Sequence, residues 1–121
     1  MLTWAFSILG LAAIGGIALV ALSQWRHPTG RIWLPGAAHG LTGLAGFVLL
    51  LLGLRGPPRG VQIGASGFGA VAAALIGLGL VLGLAVVVSR LRRRPISPLA
   101  LGIHATLAIA GLVMLAAYVA A

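Results

Sequence analysis

Residues 34–50 read LPGAAHGLTGLAGFVLL, an apolar run of helical length that contains one histidine, His39. Sixty-five positions later, residues 99–115 read LALGIHATLAIAGLVML around His104. When the two histidines are aligned, five of the twelve positions that start at each of them are identical. Leu, Ala and Gly are so common in this chain that those matches alone mean little. The histidines are two of only three in the chain, so the pair itself is the informative feature.

The composition excludes a water-soluble domain. Hydrophobic residues make up 61% of the 121 residues, and the mean hydropathy is +1.20, whereas soluble domains are about 45–50% apolar. The sequence therefore predicts a single integral membrane domain, residues 1–121, with the lipid bilayer as its surroundings.

The residue types that are missing exclude whole classes of chemistry. Asp, Glu, Lys, Asn and Cys are all absent, so the chain offers no carboxylate pair, no Schiff-base lysine and no thiolate metal site. A serine or threonine nucleophile would need a base beside it, and only the histidines could serve. An electron-transfer or accessory subunit is therefore favoured over an enzyme that works by itself.

Four apolar runs predict an all-α fold. They cover about residues 2–22, 34–54, 65–89 and 99–121, and each reaches the roughly 20 residues that a spanning helix needs. Short linkers rich in Pro, Gly and Arg separate the runs, so sequential helices are antiparallel. The prediction is an up-down four-helix membrane bundle of two hairpins, related as a parallel pseudo-repeat with its axis along the membrane normal.

The distribution of the eight arginines predicts the orientation. The first and third linkers share one side and hold six arginines, and the second linker holds two. In order along the chain these are Arg26, Arg31, Arg90, Arg92, Arg93 and Arg94, against Arg55 and Arg59. The positive-inside rule places the six-arginine side in the cytoplasm of a bacterial inner membrane, so both termini are periplasmic.

The tryptophans and the tyrosine agree with this orientation, since aromatic side chains collect at membrane interfaces. Trp25 and Trp33 mark the cytoplasmic interface, and Trp4 and Tyr118 mark the opposite one. The arginines lie next to the membrane and far from any folded surface, so they suit anionic lipid. Nucleic acid is not an expected partner.

His39 and His104, the two histidines within apolar runs, are predicted to lie at similar depth in the membrane. Pro35 and Pro98 suit the first turns of their helices, with Ser97 as the N-cap of the last helix. His39 and His104 follow these prolines by four and six residues. Spans two and four would be diagonal partners, so their imidazoles face each other across a gap too wide for a hydrogen bond. The third histidine, His27, is expected to be a solvated loop residue.

A metal would bridge such a gap. Two ligands do not satisfy Zn²⁺, which prefers four, whereas an iron already held by four porphyrin nitrogens needs only two more. The sequence therefore predicts His39 and His104 as metal ligands, with Arg31 and Arg93 as partners of haem propionates. Small residues on the two histidine faces would leave room for the macrocycle: Gly36, Gly43, Gly46, Ala108 and Gly111.

Other interpretations of the same residues stay open. Small residues on membrane helices often serve helix packing alone. Each histidine could instead join helices through a backbone carbonyl or through Thr42 or Thr106. A chlorophyll-type pigment or a quinone would also suit a bundle core.

The four-span layout, with His39 and His104 on alternate helices, resembles small four-helix membrane b-type cytochromes of the cytochrome b561 kind. The resemblance implies haem held by histidine pairs and electron transfer across the membrane, often to or from quinone. Such proteins typically carry two haems, whereas this chain has no second histidine pair toward its outer face. This difference from the family implies one haem b near the cytoplasmic side. Other membrane subunits or a homo-oligomer would then complete the path of the electron across the membrane. The alternative is a cofactor-free accessory subunit of a larger membrane complex.

Overall fold

The computed structural model describes residues 1–25 and 33–121, which form four long α-helices and one 3-10 turn. The helices are α1 (Leu2–Trp25), α2 (Trp33–Gly53), α3 (Phe68–Leu91) and α4 (Pro98–Ala120). No strand occurs in the described residues, and each helix is long and apolar enough to cross a bilayer. The all-α prediction is confirmed, and the chain is a multi-pass membrane protein.

The helices pack as two hairpins that join side by side. α1 packs along α2, and α3 packs along α4, while smaller contacts between α1 and α4 and between α2 and α3 close the bundle. In the described residues, the backbone of α1 does not approach that of α3, and the backbone of α2 does not approach that of α4. Spans two and four are therefore diagonal partners, as the sequence predicts for an up-down bundle.

The third helix begins later than the predicted span because a tight connection precedes it. The 3-10 turn Val61–Ile63 is flanked by Gly60 and Gly64, which have φ of 66° and 72°. These left-handed conformations suit glycine, which has no Cβ to clash. The connection places the start of α3 at Phe68, three residues after the predicted start of the span at residue 65.

Glycines bring the two helices of each hairpin close together. A Cβ added to Gly46 of α2 would lie 2.7 Å from the Leu9 side chain of α1. In the second hairpin, a Cβ added to Gly111 of α4 would lie 2.6 Å from the Ile76 side chain of α3. The two glycines are separated by the same 65 positions as the two histidines. The parallel pseudo-repeat stays a prediction, and these matching contacts support it.

The buried core occupies only one half of the bundle. It lies between the first halves of α1 and α3 and the second halves of α2 and α4, and we call this the core half. One cluster of buried residues forms it: Leu2, Ala5, Leu9, Leu50, Ala72, Ile76, Leu115 and Tyr118. Leu50 and Leu115 are fully buried, which makes this half tightly packed.

The other half, which contains both apolar-run histidines, has no comparable core. We call it the histidine half: residues 13–25, 33–42, 80–91 and 98–110. None of the residues whose exposure is described there is buried. A close-packed interior is the rule in proteins, and membrane bundles also associate through tight packing. The histidine half is therefore more open than the core half of the same bundle.

At the core end, Tyr118 ties the linker between α2 and α3 to the end of α4. Its side chain is buried, and its hydroxyl accepts a hydrogen bond of 3.2 Å from the backbone N–H of Arg59. The Arg59 guanidinium donates to the carbonyl of Val119 at 3.0 Å. The Tyr118 ring lies so close to Gly69 that a Cβ there would be 2.8 Å from it.

At the histidine end, α3 stops in a Schellman motif. The N–H of Arg94 donates to the carbonyl of Ser89, and the N–H of Arg93 donates to the carbonyl of Arg90. Arg93 has φ of 54°, at the position where such motifs usually place glycine. Ser97 then caps α4 by accepting from the N–H of Ala100 at 3.4 Å, which confirms the predicted N-cap.

Replacing Arg93 with glycine should stabilise the protein, because a left-handed conformation costs a residue with a Cβ more than it costs glycine. We expect Arg93→Gly to raise the free energy of unfolding by about 0.5–1 kcal/mol, measured by thermal or denaturant unfolding of the purified protein in detergent. The matched control is Arg92→Gly, at φ −83°, which should be neutral or destabilising. Equal loss of stability in both variants would contradict the assigned turn.

Candidate functional site

His39 and His104 lie at the same depth in their helices. Each is six residues past the first residue of its helix, which is Trp33 for α2 and Pro98 for α4. At 1.5 Å per residue, each histidine lies about 9 Å along the axis from the start of its helix, and both helices start at the same end of the bundle. Both side chains are half-buried.

The two imidazole rings lie next to each other between α2 and α4, in an edge-to-face arrangement. Their centroids are 6.2 Å apart, and their planes are inclined by 84°. With the ring nitrogens facing each other, a direct N–H···N hydrogen bond would put the centroids about 5.2 Å apart. One metal ligated by both rings would put them about 6.4–6.6 Å apart. The observed separation is longer than the hydrogen-bonded value. It is close to the metal-bridged value and also lies within the range of about 4.5–7 Å of an ordinary edge-to-face ring pair.

One nitrogen of each ring is already occupied by a backbone carbonyl. His39 Nδ1 lies 2.9 Å from the Ala12 oxygen of α1, and His104 Nδ1 lies 2.7 Å from the Gly79 oxygen of α3. A carbonyl oxygen only accepts, so each Nδ1 carries a proton and donates it. In a neutral imidazole this leaves the lone pair on Nε2. Metal-binding histidines typically have this arrangement.

Among the described residues, neither Nε2 atom makes a hydrogen bond, and both Nε2 atoms are accessible rather than buried. The Thr42 hydroxyl donates to the carbonyl of Ala38, and the Thr106 hydroxyl donates to that of Gly102. The threonines therefore do not bind the histidines, although the sequence left that open. The carbonyl alternative is realised, but it uses only Nδ1 and leaves Nε2 available for a ligand.

Each imidazole also rests against a glycine that the sequence analysis did not select. A Cβ added to Gly16 of α1 would be 3.0 Å from Cε1 of His39. A Cβ added to Gly83 of α3 would be 3.0 Å from Cε1 of His104. Each of these glycines follows the carbonyl residue of its own helix by four positions, a relation that only the structure reveals.

The small residues that were predicted to leave space for a macrocycle have three different surroundings. Gly46 and Gly111 lie in the core half, where Leu9 and Ile76 already fill the space that their missing side chains leave. Gly36 faces open space, since a Cβ there would meet nothing within 4 Å. Their surroundings thus connect Gly46 and Gly111 with helix packing.

Gly43 and Ala108 lie close to the histidine acceptors. A Cβ on Gly43 would be 4.0 Å from the Ala12 side chain, and the Gly79 Cβ position is 3.7 Å from the Ala108 nitrogen. These two residues therefore border the histidine half, where the small side chains bring α2 and α4 near the carbonyl residues.

A groove of about 330 Å³ lies between α1 and α2 beside His39. Its walls are apolar except for His39 and Thr42, and the Thr42 hydroxyl is satisfied by Ala38. Leu11, Ile14 and Leu22 line the groove from α1. The groove gives the His39 side of the site an apolar approach.

The predicted propionate partners are only partly described. Arg31 lies outside the described residues, as do Arg26 and the third histidine, His27. The side chains of Trp25 and Trp33 are likewise outside the described part. Arg93 is exposed in the turn between α3 and α4, at the same end of the bundle as the two apolar-run histidines.

The donor set restricts the metals that the site could hold. Within residues 1–25 and 33–121, no group of three or more His, Cys, Asp or Glu side chains could enclose a metal ion. His39 and His104 supply two nitrogens only, which is the number that an iron in a porphyrin still needs.

No protein-family model matches the chain, and neither do any curated proteins or solved structures. The resemblance to small b-type cytochromes stays a prediction from the layout of the histidines. The function proposed below therefore depends on the geometry of this chain.

Alanine at the closely packed glycines should destabilise the fold. Gly46→Ala and Gly111→Ala would force Leu9 and Ile76 to move, at a cost of about 1–3 kcal/mol each. Gly36→Ala, in open space, is the matched control and should leave stability unchanged. Thermal unfolding in detergent measures all three, and equal stability of the three variants would contradict the described interhelical contacts.

Proposed function

We propose that this protein is a membrane electron-transfer protein or subunit that binds one haem b between His39 and His104. The observation that supports it most is the pair of imidazoles with centroids 6.2 Å apart, each with Nδ1 on a carbonyl. Each Nε2 atom then carries a lone pair, and the separation of the two rings is close to that of two imidazoles on one iron.

The open histidine half is the second support. A flat macrocycle needs space between helices, and the part of the bundle around the histidines has no buried core of its own. The core half, in contrast, holds the four helices in register without any cofactor. The residues present therefore fit a haem better than a Zn²⁺ or Ca²⁺ ion, which needs more ligands.

Electron transfer follows from what the site would contain. A bound haem supplies a one-electron couple at the iron, and this chain has no acid, lysine or thiol to add other chemistry. The chain's part is to fix the two axial ligands, to donate each Nδ1 proton to a carbonyl, and to surround the site with apolar side chains. A low local dielectric and hydrogen-bonded axial ligands are two of the means by which a protein tunes such a couple.

The site covers only one side of the membrane. From His39 to the end of α2 there are 14 residues, or about 21 Å of helix, and the described part of that stretch has no histidine pair. We therefore propose that other membrane subunits or a second copy complete the path, with quinone as a candidate for exchange. The proposed location is a bacterial inner membrane, with the histidine end cytoplasmic and both termini periplasmic, supported by six arginines against two.

The hydrogen bonds from the histidines also favour a second candidate, a cofactor-free accessory subunit. His39 joins α2 to α1, and His104 joins α4 to α3, so each already stabilises its own hairpin. A pigment or a quinone in the same space is a third option. Absorption spectra separate these candidates from a haem protein.

Protein purified from haem-replete cells should show the reduced-minus-oxidised spectrum of a six-coordinate, low-spin haem b. His39→Ala and His104→Ala should each abolish this low-spin spectrum, because one remaining nitrogen leaves the iron five-coordinate. The double variant should be little worse than either single one, since ligands that act together are not additive. His27→Ala is the control and should leave the spectrum unchanged. A colourless protein with no extractable pigment would favour the accessory subunit.

A reporter fused after Ala121 tests the proposed orientation. A reporter that is active only outside the cytoplasm should be active there, because both termini are proposed to be periplasmic. The control is the same reporter inserted in the linker between α3 and α4, where it should be inactive. Activity of a cytoplasm-only reporter after Ala121 would reverse the orientation and place the histidines toward the outer side.

A further inference from the structure

The carbonyls that hold the two histidines share one local feature. Ala12 and Gly79 lie inside helices, where each carbonyl already accepts the N–H of the residue four positions later. That residue is Gly16 in α1 and Gly83 in α3. A helical side chain covers the turn before its own Cα, so a side chain at either position would lie over the carbonyl in question.

We propose that Gly16 and Gly83 are positioning residues that uncover these carbonyls and thereby set the tautomer of the two histidines. Without a Cβ at Gly16, the His39 ring reaches the Ala12 oxygen with its Nδ1–H. Gly83 does the same for His104 and the Gly79 oxygen. Each ring is thereby held with its lone pair on Nε2. The consequence for haem rests on the proposed function, whereas the tautomer itself does not.

The contact distances show that alanine at either glycine would force the imidazole ring to move. A Cβ on Gly16 would be 3.0 Å from Cε1 and 3.6 Å from Nδ1 of His39. On Gly83 the same distances to His104 are 3.0 Å and 3.4 Å. The ring atom nearest each glycine is Cε1, which is bonded to both nitrogens, and Nε2 lies slightly farther than Nδ1, at 3.7 Å for Gly16 and 3.9 Å for Gly83. A methyl group would therefore push Nδ1 away from its acceptor.

The neighbouring positions do not share this restriction. A Cβ on Gly15 would approach His39 Nδ1 no closer than 3.9 Å, which is an ordinary contact. A Cβ on Gly79 would meet only atoms of α4 at 3.7–3.8 Å, and the corresponding residue of α1 is already alanine, Ala12. Each hairpin thus tolerates a methyl group on the carbonyl residue but has glycine four positions later.

Nitrogen NMR of the haem-free full-length chain, with labelled histidine, tests the proposal. The wild-type protein should show His39 and His104 with the proton on Nδ1. Gly16→Ala should shift the His39 population toward the Nε2-protonated tautomer and leave His104 unchanged, and Gly83→Ala should do the reverse. Gly15→Ala and Gly102→Ala are the matched controls and should keep both wild-type signals, since a Cβ on Gly102 of α4 would meet nothing within 4 Å.

Two results would overturn the proposal. One is a wild-type protein in which both histidines carry the proton on Nε2, a result that needs no variant to fold. The other is a folded Gly16→Ala or Gly83→Ala protein, verified by circular dichroism, whose histidine signals match the wild type.

The haem-loaded protein gives a second readout that separates this inference from the proposed function. A hydrogen-bonded Nδ1–H makes a ligating histidine more basic, so Gly16→Ala and Gly83→Ala should raise the reduction potential relative to Gly15→Ala and Gly102→Ala. Tautomer shifts in a protein that binds no haem would support this inference and contradict the proposed function. Haem binding, with tautomers and potentials that do not change in Gly16→Ala and Gly83→Ala, would support the proposed function and contradict this inference.

Discussion

An imidazole N–H inside a bilayer must find an acceptor within the protein, because the lipid tails offer none. This chain has no Asp, Glu or Asn, so backbone carbonyls are the main acceptors left. The Ala12 carbonyl accepts the hydrogen bond from His39, and the Gly79 carbonyl accepts the one from His104. Each carbonyl belongs to the other helix of the same hairpin. The placement of the rings against Gly16 and Gly83 and the free Nε2 atoms both depend on these two bonds.

The two halves of the bundle use glycine for different purposes. In the core half, Gly46 and Gly111 let Leu9 and Ile76 approach the facing helix, and buried Leu, Ile and Ala side chains fill the interior. In the histidine half, Gly16 and Gly83 receive the imidazole edges instead. One half thus supplies most of the packing between helices, and the other half is available for a site.

The sequence predicted the four helices, the diagonal pairing of α2 and α4, and the Ser97 cap, because length, hydropathy and capping are local properties. It did not predict Gly16 or Gly83, since these helices are apolar on all sides and no stripe reveals which residue faces which neighbour. For the same reason the sequence grouped Gly46 with the site, although Leu9 fills the space beside it. The late start of α3 depends on the left-handed glycines before it. The haem, the orientation and the pseudo-repeat stay predictions.

The two hairpins are joined by a single stretch of chain, the linker between Gly53 and Phe68, and it lies at the core end. There the Tyr118 hydroxyl and Arg59 fasten this linker to α4. The chain connections at the opposite end each stay within one hairpin. The two hairpins are therefore joined covalently at the core end, whereas each helix connection at the histidine end lies within one hairpin. Both Nδ1 hydrogen bonds also lie within one hairpin, so a change in the distance between the two hairpins at the histidine end would break neither of these bonds.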